Sequence, residues 1–165
     1  GDHHIADIGW LAGIIDGEGT VSLSHGSTGT PHLRVSIYNG DPAILDKVHA
    51  ILDGSGIGSH EFWDKRATKA NLHITIVGAH AIRLHEVVGP FLVRHIDRLD
   101  AAVAFLKPAY EGRTRVYWTP AQRAEWEVLR ARFNAPDFSN ENHCSCERRT
   151  RSVTDSGSPF GLDQI

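Results

Sequence analysis

The chain has 165 residues, 41% of them hydrophobic and 22% charged, with a formal net charge of -3. That is enough to bury one core of ordinary size and too little for a two-domain enzyme with a separate cofactor fold. The charge balance argues against a protein that coats nucleic acid by charge alone, while leaving room for a local basic face.

No apolar run approaches the roughly 20 residues of a membrane span, so no membrane partner is expected. The start, Gly1-Asp2-His3-His4, lacks the basic and then apolar stretches of a secretory signal. There is no Met, not even an initiator, which implies processing or truncation at the start. Cys144 and Cys146 lie together in a polar stretch, where they cannot staple a core. A reducing, intracellular compartment, cytoplasmic or organellar, fits them best.

In chain order, Ile8, Leu11, Ala12 and Ile15 fall on one face of a 3.6-residue period and predict a helix over 7–16, capped by Asp7. Gly17-Glu18-Gly19 is expected to break it. Thr20 to His25 and His32 to Asn39 alternate as two half-buried strands around a Gly/Ser/Thr loop. Asp41-Pro42 starts a second helix, with Asp41 as cap, that ends in Gly54, Gly56 and Gly58. A poorly alternating strand is expected near 59–64, then a basic loop, then a clean strand over 71–77. Residues 79–106 are helical in pattern, broken around Gly89-Pro90, and Thr119-Pro120 opens a last helix to Phe133.

This order predicts an α+β fold, αββαββα, with an antiparallel four-stranded sheet covered by helices on one face. The expected organisation is one domain over 1–115, an added helix over 116–133 and a disordered tail over 134–165. The uncovered sheet face is polar and invites a ligand. Residues 20–39 carry Arg34 and no acid, a net of +1. Residues 58–77 carry Lys65, Arg66 and Lys69 against Glu61 and Asp64, also +1, so the two hairpins total +2 in a chain of -3. Outward Ser22, Ser24, Arg34, Ser36, Asn71, His73 and Thr75 are donors and acceptors spaced two apart, of the kind a β-ribbon uses to read base edges in a major groove. The set His143, Cys144 and Cys146 offers zinc-type ligands without a visible fourth, so no structural zinc is expected.

The segment Leu11-Ala-Gly-Ile-Ile-Asp-Gly-Glu-Gly19 resembles the signature of the LAGLIDADG homing endonucleases, with all nine positions filled. Small Ala12 and Gly13 would let another helix approach, flanked by Leu11 and Ile15, so Leu11, Ala12 and Ile15 are the expected dimer interface. Gly17 and Gly19 are expected to supply unusual backbone angles at the turn. A carboxylate at that turn can hold a hard cation such as Mg²⁺.

The resemblance implies the rest. Glu18 matches the metal-binding catalytic acid, with Asp16 and the Gly17 carbonyl in support. Asn39 matches a polar active-site residue, and Arg94 or His95 a basic one. A single motif implies a homodimer cutting both strands of a long, nearly palindromic double-stranded DNA site, encoded in an intron, intein or phage genome. The rival reading on the same scaffold is a non-cleaving nucleic-acid-binding protein, either an intron maturase that binds RNA or a DNA-binding regulator.

Overall fold

A computed structural model describes residues 2–26, 29–64, 71–111 and 116–133, without the side chains of 2, 3, 63, 64 and 71. Helix α1 spans Asp2–Glu18, and strands β1 (Gly19–His25) and β2 (Pro31–Asn39) follow it. Helix α2 (Pro42–Gly54) leads to strands β3 (His60–Asp64) and β4 (Asn71–Val77). Helices α3 (Ala79–Val88), α4 (Ile96–Tyr110) and α5 (Pro120–Phe133) complete the described residues, with a 3-10 turn at Gly89–Phe91.

The strands form one antiparallel sheet in the order β1-β2-β4-β3. Alternation places Val21, Leu23, Leu33, Val35, Ile37, Ile74 and Ile76 on one face. There they meet Ile8, Leu11 and Ile15 of α1, Leu45, Val48 and Leu52 of α2, and the apolar faces of α3 and α4. Removal of this apolar area from water is the main term holding the layers together.

Local chemistry sets the helix ends. Asp41 Oδ1 accepts from Ala43 N at 2.9 Å, with Pro42 in the first turn. Gly56 at φ +69° lets Ile57 N reach back to the Leu52 carbonyl and close α2. Thr119 and Gln122 exchange side-chain-to-backbone bonds of 3.2 and 2.9 Å, a capping box for α5. Trp126 anchors α5: it is fully buried, and its Nε1 donates to the Ser24 carbonyl of edge strand β1 at 3.2 Å.

Three expectations are corrected. Helix α1 begins well before Asp7, because nothing upstream breaks it; Asp7 is not a cap and instead pairs with Lys47 at 3.5 Å. The helix also runs through Gly17 and Glu18, and neither Gly17 nor Gly19 has a positive φ. Gly19 is required by space: a Cβ there would lie 2.3 Å from the Ile15 carbonyl oxygen. Backbone cannot give way cheaply at that distance. Gly19→Ala should therefore cost about 1–3 kcal/mol, as overpacking does, read as a lowered midpoint in urea unfolding. A midpoint equal to the parent's would contradict it.

Candidate active site and sheet face

The end of α1 delivers Glu18 to the junction between the helix layer and the uncovered sheet face. Glu18 is exposed and lines a cavity of about 330 Å³ with Tyr38, Asn39 and Gly40. Tyr38 follows Ile37, the strand partner of Gly19, and so lies at the same helix–strand junction as Glu18. Asn39 Oδ1 accepts from Asp41 N at 2.8 Å, which leaves its NH₂ as the donor end of the amide.

Asp16 is committed elsewhere. Its carboxylate accepts from three successive backbone amides, Val93 N at 2.6 Å, Arg94 N at 3.1 Å and His95 N at 3.1 Å. These groups precede α4, where the break at Gly89-Pro90 leaves them without helical partners. Asp16 is thus a positioning residue that pins the 93–95 segment beneath the motif, and Arg94 Nη1 adds a bond to the Asp16 carbonyl at 3.4 Å.

Sequence left Arg94 and His95 as alternatives for the basic position. The structure separates them: Arg94 is exposed, whereas His95 is 6% exposed and its Nε2 is buried with no hydrogen-bond partner among the described residues. Burial, and then the adjacent Arg94 guanidinium, lower the His95 pKa from 6.5, against the opposing pull of Asp16 and of the Gly19 backbone. His32 is lowered likewise by burial and Arg34.

For such groups the unfolded chain binds the proton more tightly. Their contribution to stability is therefore complete above 6.5 and is lost as pH falls toward the folded-state pKa. The melting temperature should fall on acidification below that value, and His95→Gln should flatten the fall. Parallel curves for the two proteins would refute the assignment.

The uncovered face runs in cross-strand rows. Arg34 is exposed between Ser22 and Val77, and Ser22 and Ser24 are half-buried. Ser36 and Thr75 were expected outward as groove contacts. They do lie on this face but are only 4% and 3% exposed, with their hydroxyl oxygens 3.4 Å apart. Small side chains in the centre of a four-stranded sheet are overtopped by their neighbours. His73 is half-buried between Tyr38 and Phe62, at ring-centroid distances of 4.8 and 5.5 Å. Lys65, Arg66 and Lys69 lie outside the described residues, as do the Asn71 side chain and the tail with His143, Cys144 and Cys146. Sequence reasoning passed over Tyr38 and Phe62; the signal was a large aromatic at an outward strand position.

The dimer expectation is also corrected in its residues. Leu11, Ala12 and Ile15 are 0–1% exposed within this one chain, because their spacing aims them at the sheet. The bare strip of α1 is Gly9, Gly13 and Gly17, four apart on one face, where a Cβ would meet nothing within 4 Å.

A LAGLIDADG-like domain matches residues 6–89 of this chain. The chain therefore belongs to the LAGLIDADG-like family, and its α+β architecture is that of the homing endonucleases. Among solved structures it is similar to the homing endonuclease I-CvuI in complex with its target, with a TM-score of 0.61 and 16% identity over 81% of this chain and 83% of that one. It is also similar to I-Vdi141I, an archaeal intron-encoded homing endonuclease complexed with DNA, at 0.60 and 14% over 78% and 82%. The homing endonuclease I-TnaI matches at 0.55 and 13% over 79% and 90%. No curated protein sequence matches significantly. No helix among the described residues is long and apolar enough to cross a membrane.

Proposed function

We propose that this protein is a sequence-specific, divalent-metal-dependent endonuclease of double-stranded DNA that acts as a homodimer. The observation that carries the reading is the exposed Glu18 carboxylate, set between Asn39 and an uncovered sheet face that bears Arg34. Among the described residues no three His, Cys, Asp or Glu side chains converge to hold a metal. One carboxylate per chain, with the Gly17 carbonyl beside it, still fits Mg²⁺, which takes one or two carboxylates and completes its shell with phosphate oxygens and water. When bound, such an ion supplies Lewis-acid polarisation of a phosphoryl oxygen and a more acidic water.

The chain's own residues do the rest. Glu18 holds the negative charge that recruits the cation. The Asn39 NH₂ is placed to donate to a phosphate oxygen or to the attacking water. Arg94, kept in place by Asp16, is the exposed cation that can offset charge developing on the phosphate. Arg34 and Ser22 orient and read the duplex.

The strip Gly9-Gly13-Gly17 is the surface on which a second α1 can lie closely, in a two-fold pair that brings two Glu18 together. Gly13→Gln is expected to leave the fold intact and convert a dimer to a monomer in sedimentation equilibrium, with cutting lost. A dimeric, active variant would remove this surface from the mechanism. For the reading as a whole, a randomised duplex library is incubated with and without Mg²⁺ and the cut ends are sequenced. Metal-dependent ends centred on a pseudo-palindrome support the nuclease; enrichment of a bound sequence without ends supports a non-cleaving regulator instead.

A further inference from the structure

Three rings form a row on the uncovered sheet face. Tyr38, His73 and Phe62 occupy matched register positions on β2, β4 and β3. Phe62 lies nearly parallel to His73, with 19° between their planes, and Tyr38 tilts by 35° from the other side. With rings on both its sides, His73 has no face left for a third, so no base can slide into the middle of the row. The row nevertheless stays open to solvent, with Tyr38 at 42% and Phe62 at 51% exposed. It is a largely apolar ridge on a face that also bears Arg34, Thr20, Ser22, Ser24, Ser36 and Thr75. It begins next to Glu18, since Tyr38 lines the same cavity.

A ridge of this kind is costly to leave in water and stabilises whatever apolar group covers it. The major groove of a duplex carries one such group at its edge, the C5-methyl of thymine. We infer that the Tyr38–His73–Phe62 row is a specificity element that selects thymine, or another 5-methylpyrimidine, at base pairs flanking the cut. The inference rests on the endonuclease reading and adds to it a base preference that the polar residues of the face do not provide.

The test uses the full chain and the duplex selected from the random library. Selected sites should carry thymine at symmetric positions in both half-sites. Replacing those thymines with deoxyuridine removes only the methyl group. Binding should weaken about fourfold per methyl, the effect of one buried CH₂-sized group, and roughly fifteenfold when both half-sites are changed. Tyr38→Ala and Phe62→Ala, both at exposed positions, should select libraries without the thymine preference while melting near the parent temperature. Equal binding of thymine and deoxyuridine duplexes overturns the inference and leaves the endonuclease reading standing, as do variants that keep the thymine preference. Failure to bind any duplex overturns both.

Discussion

Glu18→Gln should lower cleavage of the selected duplex by roughly 10²–10⁴-fold, the range a single positioned catalytic group contributes. The substitution preserves size and removes only charge. A neutral amide holds a hard cation more weakly than a carboxylate does, so metal binding and activity should fall together. Glu18 is exposed at the end of α1, so the fold has little reason to change. Removing a negative charge from a surface that meets phosphates should leave DNA affinity equal or higher. The measurement is paired: cleavage rate in Mg²⁺ and equilibrium binding of the same duplex. Full binding with cleavage lost is the expected result. A variant that cuts within threefold of the parent would remove Glu18 from the chemistry, and one that neither binds nor cuts would point to a structural role.

Asp16→Ala should be the most damaging substitution to the scaffold of the site. It strips the partner from three backbone amides at 2.6, 3.1 and 3.1 Å. Bonds to an ionised carboxylate are the stronger kind, and amides left without a partner carry a desolvation cost. With allowance for partial exposure, the loss should be about 2–4 kcal/mol, or roughly 5–15 °C in melting temperature for a chain of this size. Cleavage should fall as well, because Arg94 and His95 lose their anchor. Asp16→Asn, which keeps one acceptor oxygen, should lie between. A stable Asp16→Ala protein with normal cleavage would show that the 93–95 segment is held by other means.

Much of the site was legible in the chain. The nine-residue run ending at Gly19 pointed to Glu18, and strict alternation placed Arg34 and His73 on the uncovered face. Alternation reports direction and not exposure, which is why Ser36 and Thr75 were misjudged: their burial depends on the height of side chains on neighbouring strands. The role of Asp16 was illegible for a related reason. Its partners lie 77–79 residues away, and no local rule connects a carboxylate at a helix end to amides freed by a distant Gly-Pro break.

The motif helix shows the division most clearly. Spacing alone made Leu11, Ala12 and Ile15 one face of a helix, but a helix presents several faces, and periodicity does not say which surface each will meet. Packing against the sheet took the apolar face into the core and left the glycines outside. By itself the sequence determined the element order, the strand faces, the starts of α2 and α5 and the family, because each depends on short-range pattern and backbone chemistry. Only the tertiary structure decided which acid is committed to backbone amides and which is free, that Arg94 and not His95 is exposed, and that three rings from three strands form one row. Those outcomes depend on which distant groups compete for the same space and the same hydrogen bonds.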